Sequence, residues 1–276
     1  MQRLVLGFAL FLAILVAFAF LVLPVVAIFT HVAPGTLIDQ LSNPVVHDAV
    51  IVTLKTTLTA QAAILLFGTP TAWFLATRRF PGRAVLITLV ELPFVLPPVV
   101  AGIGLLVAFG RAGLLGSTMS VLHIDISFTW IAVVLAITLV ASPLYVRQAI
   151  AAFEAIDQNL VAASRTLGAG PVRTFFRVAL PLARCGLAAG EALCLARSIG
   201  EFGATIMFAG SLQGVTQTLS LAIYNEFSLN FDAAVAMGAA LVLFSLILLL
   251  SHRLILSWQF SFSTRSGFRF GPSTSS

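Results

Sequence analysis

The 276-residue sequence is 59% hydrophobic and only 9% charged, with a mean hydropathy of +1.07 and a formal net charge of +5. Because soluble domains carry about a quarter charged residues, this composition excludes an ordinary water-soluble fold and predicts a polytopic membrane protein. The arginines are spread along the chain instead of forming one basic face, so the positive charge does not indicate nucleic-acid binding.

Six apolar runs are each close to the ~20 residues that a helix needs to cross a lipid bilayer. The alternating pattern of a membrane barrel is absent, so we expect the spans to be α-helices. The predicted fold is an all-α transmembrane domain of about six helices over residues 1–256, followed by a short cytoplasmic tail over residues 257–276. The apolar runs cover residues 4–29, 50–76, 84–109, 129–150, 186–209 and 233–256.

The basic residues predict the orientation of this bundle. If six spans alternate in direction, 12 of the 15 Lys and Arg residues lie on one side of the membrane. Lys55 and Arg111 lie on the opposite side, and Arg197 lies inside a span. Cytoplasmic loops carry the excess of Lys and Arg in membrane proteins. We therefore expect both termini to lie in the cytoplasm.

The first span is predicted to be an uncleaved helix. Its apolar run is longer than the ~7–15 residues of a signal-peptide core, only Arg3 precedes it, and no cleavage site is clear. The external loop that follows, residues 30–49, contains His31 and His47. Their separation does not match the spacing of metal ligands on a helix, so no metal site is predicted.

The third span contains three prolines in the sequence ELPFVLPPVVAGIG. Pro93, Pro97 and Pro98 remove backbone donors and must bend or interrupt the helix. Interrupted backbone is tolerated at membrane depth where it packs against protein or lines a watery cavity. Glu91 lies in the same span, and intramembrane carboxylates normally face the interior of a bundle. We predict that this span borders a pathway, with a purely structural kink as the alternative.

A polar stretch, DQNLVAASRTLGAGPVRTFFRVALP, occupies residues 157–181 between the two apolar halves. Asp157 or Asn159 can cap a short helix, Gly168 can end it in the left-handed conformation, and Pro171 can begin the next helix. The helix between them, residues 160–167, is too short to be stable alone in water. This pattern predicts that the helix contacts another protein.

The fifth span carries Glu191, Arg197 and Glu201. Arg197 and Glu201 are four residues apart and can pair on one helix face, which lowers the cost of placing both charges in the membrane. The pair could lock helices together, or Arg197 could help an anion to pass while Glu201 holds its orientation. Small residues also recur every four positions, which predicts close approach of another helix. These residues are Ala192, Ala196, Gly200 and Ala204.

Other kinds of site find no support in the sequence. Lys55, the only lysine, has no glycine-rich loop before it, so we predict no nucleotide site in this chain. No nucleophile, base and orienting residue occur together at a recognisable spacing, so no catalytic residues are predicted. Cys185 and Cys194 lie on different helix faces, which does not indicate a disulfide or a metal site.

The polar stretch resembles the EAA loop of the permease subunits of binding-protein-dependent ABC importers. That loop reads Glu-Ala-Ala, three residues, Gly, nine residues, Ile, one residue, Leu-Pro, and its spacing is intact here. Ala162 replaces the acidic residue, so an ion pair made from that position cannot be carried over. The matching positions are Ala162, Ala163, Ser164, Gly168, Val178, Leu180 and Pro181.

The sequences ELPFVLPPVVAGIGLL and ARSIGEFGATIMFAGSLQGVTQTLSLAIY are similar to the molybdate branch of these importers, which is close to the sulfate and tungstate permeases. The resemblance implies a type I importer fold in a bacterial inner membrane and a homodimer of permease chains. It also implies two ATP-binding subunits and an external oxyanion-binding protein. ATP and Mg would bind in the partner subunits, and this chain would hold no cofactor. The short helix would be the coupling helix, with contacts at Leu160, Ala162, Ala163, Ser164, Arg165, Thr166, Gly168, Ala169 and Pro181.

The binding of an oxyanion in this chain is predicted to be weak, because strong binding would slow release. Hydroxyls, backbone donors and helix N-termini can hold a tetrahedral dianion without a full countercharge; Thr216 and Thr218 are candidates beside the main set. A constriction is expected near Phe202. The candidate pathway or gate residues are Pro97, Pro98, Arg197, Ser198, Glu201, Phe202, Gly203 and Thr205.

Alternative functions remain at this point. A sulfate, thiosulfate or tungstate permease would share the same resemblance. An ion-coupled secondary transporter would need coupling-ion carboxylates and usually shows repeated halves, whereas no convincing internal repeat is visible. A membrane-embedded enzyme would need a convergent polar site, which the sequence does not assemble.

Overall fold

The computed structural model describes residues 2–32, 35, 39, 43–122 and 125–265. Within these residues the regular secondary structure is helical and no β-strand occurs. The all-α fold predicted from the apolar runs is confirmed. The helices are α1 (Gln2–His31), α2 (Pro44–Thr77), α3 (Arg83–Val95), α4 (Pro98–Phe109), α5 (Gly116–Val121), α6 (Trp130–Glu154), α7 (Gln158–Thr166), α8 (Pro171–Ile199), α9 (Gly203–Ala209), α10 (Leu219–Leu229) and α11 (Phe231–Arg265).

Five helices in the described part of the chain, α1, α2, α6, α8 and α11, are long and apolar enough to cross a membrane. The pair α3 and α4 makes a sixth span if its two halves are counted together, although they are bent by 112°. The bend lies at Leu96 and Pro97, where the backbone is extended, and Pro98 begins α4. Pro97 and Pro98 therefore interrupt the helix, as predicted, whereas Pro93 lies inside α3 without ending it.

The fifth span differs from its predicted limits of residues 186–209. Helix α8 begins at Pro171 and ends at Ile199, so it includes the second half of the polar stretch. A π-helical turn at Phe175–Ala179 precedes Pro181, which has no N–H to donate. The Leu180 N–H instead donates to the Phe175 oxygen, five residues earlier, and the helix continues. The prediction failed at this end because arginines interrupt the apolar run without interrupting the helix.

The chain divides into two compact units, Met1–Leu54 with Ser211–Phe244, and Lys55–Gly210 with Ser245–Ser276. In the first unit, Val46, Leu219 and Met237 form a small apolar cluster that joins α2, α10 and α11. The apolar side chains of α1 are exposed on the single chain. A surface of this kind is suited to lipid.

In the second unit, α6 lies at the centre of the core. Tyr145 and Phe153 of α6 belong to one buried cluster with residues of α2 and α8, and Val133 and Ile137 belong to another with α4 and α9. Helix α8 approaches α6 closely at Gly190, where an added Cβ would lie 2.9 Å from the Gln148 Cβ atom. This contact fixes α8 to the most buried span of the described chain.

The small-residue stripe predicted on the fifth span is divided in the structure: Ala204 is fully buried in a cluster with α4 and α6, but the face of α8 that packs on α6 is a different one. That face carries Gly186, Gly190 and the fully buried Cys194 instead. Gly200 belongs to the predicted stripe, but it lies beyond the end of α8 and has open space beside it. The prediction assumed a helix that continued through Gly200, and the structure interrupts it there.

The structure describes only part of the predicted tail and of the predicted external loop. The predicted tail of residues 257–276 is helical as far as Arg265, as a continuation of α11, and residues 266–276 lie outside the described part. In the predicted external loop, residues 33–34, 36–38 and 40–42 also lie outside it.

Candidate functional site

The short helix α7 runs from Gln158 to Thr166, against the predicted 160–167, and it ends at the capping residues that the sequence predicts. The Asp157 Oδ1 atom accepts a hydrogen bond from the Asn159 N–H at 2.9 Å, so Asp157 is the N-cap. Gly168 has a φ of +81°, a left-handed conformation that favours glycine. The Gly168 and Ala169 N–H groups donate to the oxygens of Arg165 and Ser164, each at 3.0 Å, which is the Schellman pattern of a helix end.

The inner side of α7 is anchored to the second unit. Val161 is buried in the core, and the Ser164 hydroxyl lies 3.1 Å from the hydroxyl of the buried Thr174 on α8. Beneath it, the rings of Trp73, Phe153 and Phe175 pack with centroid distances of 5.1 to 6.2 Å. These aromatic residues come from α2, α6 and α8. A force applied to α7 would therefore reach three spans at once.

No other part of the described chain packs on the outer face of α7. Leu160 is 48% exposed and Leu167 is 88% exposed, although both are large apolar residues outside the apolar core of a span. Exposed apolar side chains at such a position are typical of a protein contact surface. We define the α7 outer face as Leu160, Ala162, Ala163, Arg165, Thr166, Leu167 and Gly168, all exposed.

The other two predicted coupling residues do not belong to this face. Ala169 is partly buried after the helix end, and Pro181 is exposed on α8. Ala162 presents only a methyl group where the related loops carry an acidic side chain. The predicted coupling residues from Leu160 to Ala169 thus lie in one stretch of chain, in which Ser164 faces inward, and Pro181 lies further along on α8.

A polar cavity of about 600 Å³ lies next to the first residue of α7. The Arg83 guanidinium pairs with the Glu154 carboxylate there, and its Nε–H donates to the Leu75 oxygen at 2.6 Å. The sequence analysis missed this ion pair, although both residues lie at the ends of apolar runs on the same predicted side. The lining residues are Ala76, Thr77, Arg79, Arg83, Glu154 and Gln158.

A second site forms where two interrupted spans meet. The first interruption lies at Leu96 and Pro97, and the second lies between α8 and α9. An added Cβ on Gly203 would lie 2.9 Å from the Pro98 Cβ atom, and one on Gly102 would lie 2.6 Å from the Ala204 oxygen. The structure therefore brings together Pro98 and Gly203, which the sequence analysis placed in the pathway. We call this region the double break.

The pair of Arg197 and Glu201 is present at the double break, but not on one helix face as predicted. Helix α8 ends at Ile199, and Glu201 lies in the non-helical segment before α9. The Arg197 Nη2 atom lies 2.6 Å from the Glu201 Oε2 atom, and Glu201 Oε1 accepts from the Ala204 N–H at 2.7 Å. The carboxylate thus satisfies both the guanidinium and a free backbone N–H of α9, which stabilises the interruption.

Several polar side chains are buried around the double break. Ser198 is 2% exposed; its hydroxyl donates to the Cys194 oxygen and accepts from the Gln61 Nε2 atom, both at 2.8 Å. Thr205 is fully buried, and its hydroxyl has no partner within the described residues. Phe202 is half-buried and immediately precedes α9. Serine, threonine and backbone donors are groups that can hydrogen-bond a passing oxyanion.

Two polar residues of this region were missed by the sequence analysis. Gln61 and Thr57 lie one helical turn apart on α2, and the Gln61 Oε1 and Thr57 Oγ1 atoms are buried without a partner among the described residues. Their position inside the apolar run of residues 50–76 was the available signal. Thr216 and Thr218 belong to the first unit, where the Thr216 hydroxyl accepts from the Leu212 N–H at 2.9 Å.

Known proteins resemble this chain in sequence and in structure. Residues 68–259 match the family model described as "Binding-protein-dependent transport system inner membrane component". The molybdenum transport system permease protein ModB of Mycobacterium tuberculosis (strain ATCC 25618 / H37Rv) is 42% identical over 244 residues, which are 87% of this chain and 91% of the relative. The sulfate transport system permease protein CysW of Synechocystis sp. is 35% identical, over 88% of this chain and 87% of the relative.

A solved structure also matches over most of the chain. It is that of a bacterial ABC transporter involved in the import of the acidic polysaccharide alginate, with a TM-score of 0.70 and 17% sequence identity. The match covers 93% of this chain and 96% of that chain. At this identity the likeness shows the fold alone.

Proposed function

Because the chain belongs to the family of binding-protein-dependent transport system inner membrane components, we propose that it is the permease subunit of an ATP-driven molybdate importer. The 42% identity to a molybdenum permease over 87% of the chain carries this proposal. The fold is that of type I ABC importer permeases, and the protein is a multi-pass membrane component of a transport system. Its termini are proposed to lie in the cytoplasm, on the side that collects the basic residues.

The proposed assembly contains two copies of this chain, two ATP-binding subunits and an extracytoplasmic oxyanion-binding protein. The exposed apolar residues of the α7 outer face support an ATP-binding subunit as its partner, because an unpartnered apolar face outside the lipid needs a protein to cover it. ATP and Mg would be bound by that subunit and not by this chain. The lipid bilayer would cover the outward-facing apolar helices.

The structure offers a path by which ATP hydrolysis could change the double break. Movement of the α7 outer face would be passed through Ser164 and Thr174 to α8, and through the aromatic residues to α2 and α6. Helix α8 ends at the Arg197–Glu201 pair, and α2 reaches the same region through Gln61. Rigid-body movement of these helices would then alternate the access of the pathway between the two sides of the membrane.

The double break is proposed to be a weakly polar constriction. Arg197 remains partly exposed, with 27% of its side chain accessible, while its charge is balanced by the buried Glu201. An oxyanion that passes this point would meet hydroxyls and a compensated guanidinium, and it would not be trapped by a full positive charge. In this account Glu201 orients Arg197 and holds the backbone of α9.

The proposal is tested by uptake in proteoliposomes that contain this chain, its ATP-binding subunit and the loaded binding protein. We expect uptake of labelled molybdate to require ATP hydrolysis, with competition by tungstate and weaker competition by sulfate. Uptake at the full rate without ATP hydrolysis, driven by an ion gradient, would contradict an importer of this class. Uptake of sulfate in preference to molybdate would favour the sulfate permease, which the 35% identity to CysW keeps as the second candidate.

A further inference from the structure

A second intramembrane ion pair lies apart from the Arg197–Glu201 pair. Arg147 of α6 and Glu91 of α3 face each other, with 3.7 Å between the Arg147 Nε and Glu91 Oε1 atoms. They border a cavity of about 220 Å³. Val95, the last residue of α3, also lines this cavity, so the cavity reaches the start of the interruption at Leu96 and Pro97. The remaining lining residues are Phe94, Pro143 and Leu144.

The position of Arg147 on α6 places it inside the spanning segment. At the start of α6, the Lys55 Nζ atom lies 4.3 Å from the centre of the Trp130 ring, an arrangement suited to a membrane interface. At the other end, Glu154 pairs with Arg83. Arg147 precedes Glu154 by seven residues, or ~10 Å along a helix. It therefore lies in the half of the span nearer to the basic side.

The exposure of this pair is difficult to reconcile with lipid. The side chain of Arg147 is 73% exposed and that of Glu91 is 39% exposed on the chain. Charged groups at this depth are costly in hydrocarbon, and they normally face the bundle interior or a water-filled cavity. The face that carries Arg147 and Glu91 is therefore expected to border the pathway.

The Arg147 guanidinium has donors to spare. The 3.7 Å between its Nε atom and the Glu91 Oε1 atom is longer than a hydrogen bond, and no hydrogen bond joins the guanidinium to another described residue. A planar guanidinium with free donors matches the oxygens of a tetrahedral oxyanion. The neighbouring Glu91 carboxylate reduces the net charge, which would weaken the binding and favour release.

We propose that Arg147, with Glu91 beside it, is a binding station for the transported oxyanion between the double break and the basic side of the membrane. The inference rests on the proposed function, because it takes the ligand to be the transported anion. Arg147 binds the anion in this account, and Glu91 limits how tightly it is held. The station would receive the anion after it passes the double break.

The test measures whether molybdate shields a cysteine in the cavity. Val95, which is 76% exposed, is replaced by cysteine in a chain whose Cys185 is replaced by serine; the fully buried Cys194 is kept. The assembled transporter in liposomes is labelled with a positively charged, water-soluble thiol reagent at increasing molybdate concentrations. The same measurement is made after adding Arg147→Gln, Arg147→Lys or Glu91→Gln.

We expect molybdate to slow labelling when Arg147 is present. Arg147→Gln should raise the half-protecting molybdate concentration about tenfold or more, as expected for the loss of a charge-assisted contact. Arg147→Lys should raise this concentration less, because lysine keeps the positive charge but lacks the planar set of donors of a guanidinium. Glu91→Gln should lower it several-fold. Arg147→Gln and Glu91→Gln should therefore shift the half-protecting concentration in opposite directions. If the two residues formed only a structural ion pair, both variants would shift it in the same direction.

Arg111→Gln is the matched control. It removes one positive charge at an exposed pair, in which Arg111 lies 2.9 Å from Asp125. Because an arginine is fully charged at neutral pH, the variant loses a full positive charge, as Arg147→Gln does. Protection should be unchanged by this substitution.

Several results would overturn the station. The station would be wrong if the Val95→Cys chain is not labelled, if molybdate does not protect it, or if the protection is equal with and without Arg147. If Arg147→Gln increases the rate of labelling and molybdate has no effect on that rate, Arg147 would bind a lipid headgroup instead of the transported oxyanion. ATP-driven molybdate uptake without such protection would remove the station and leave the proposed function intact. Failure of uptake in the unsubstituted transporter would remove the proposed function itself.

Discussion

The region around α7 and the double break differ in how completely their polar groups are satisfied. At α7, Asp157 caps one end, Gly168 closes the other, and Val161 is buried over the aromatic residues. At the double break, the Arg197–Glu201 ion pair and the Thr205 hydroxyl, which has no partner among the described residues, lie beside two interrupted helices. A region whose polar groups are paired suits the transmission of force, whereas a polar region with an unpaired buried group suits a change of state.

The largest effect is expected from Glu201→Ala at the double break. The substitution leaves Arg197 without its countercharge and the Ala204 N–H without its acceptor. Removing one partner of a buried ion pair costs about 3–5 kcal/mol, and the lower end applies here because the Arg197 side chain is 27% exposed. Thermal unfolding of the purified protein should show a clear loss of stability. Glu154→Ala, at a pair that is half exposed, is the control and should cost much less. Equal stability of the two variants would contradict a structural role for the Glu201 carboxylate.

The next effect tests the close packing of the two interruptions. Gly102→Ala would place a Cβ 2.6 Å from the Ala204 backbone oxygen, which cannot move without shifting α9. Overpacking of this kind costs about 1–3 kcal/mol, and uptake should fall with it. Gly104→Ala, in the same helix and with nothing within 4 Å of the added atom, should be neutral or slightly stabilising. Similar behaviour of both variants in uptake and unfolding would count against close packing here.

A smaller effect on stability, but a specific one on transport, is expected from Gly168→Val. Its φ of +81° is costly for a β-branched residue, by about 1–2 kcal/mol. The end of α7 should move, and ATP hydrolysis should no longer produce uptake. Gly170→Val is the control, because Gly170 has an ordinary φ of −68° and open space around it. If Gly168→Val shows a normal ratio of uptake to ATP hydrolysis, the conformation at this end of α7 is not needed for coupling.

The smallest effect is expected from Asp157→Ala, which removes the N-cap of α7. Losing such a cap costs about 1 kcal/mol. Hydrogen exchange of the α7 amides should become faster, with little change elsewhere. Asn159→Ala should have less effect, because the backbone N–H of Asn159, and not its side chain, makes the cap bond. If Asn159→Ala speeds up hydrogen exchange in α7 more than Asp157→Ala does, Asn159 would be the cap instead.

The sequence predicts α7 well because its rules are local. A capping carboxylate, a glycine and a proline define its ends within fifteen residues, and no distant contact is needed. The interruption at Leu96 and Pro97 is predictable for the same reason, since each proline removes a donor wherever the rest of the chain lies.

The interruption between α8 and α9 is not predictable in this way. The apolar run continues through it, and the helix ends because Gly203 packs on Pro98 and Glu201 turns to bind the Ala204 N–H. The Gln61–Ser198 hydrogen bond joins residues 137 positions apart. Periodicity in one segment contains no information about such a pairing. The Arg147–Glu91 pair, between α6 and α3, was missed for the same reason.

The central claim is that the α7 outer face couples ATP hydrolysis to transport, and Leu167→Arg tests it most directly. Leu167 is 88% exposed, so the substitution should leave the stability of the purified permease unchanged. Molybdate uptake per ATP hydrolysed is measured in the reconstituted transporter. We predict that uptake falls at least tenfold because the ATP-binding subunit no longer engages this face, while the permease still folds. Full uptake with an unchanged ratio to ATP hydrolysis would contradict the account.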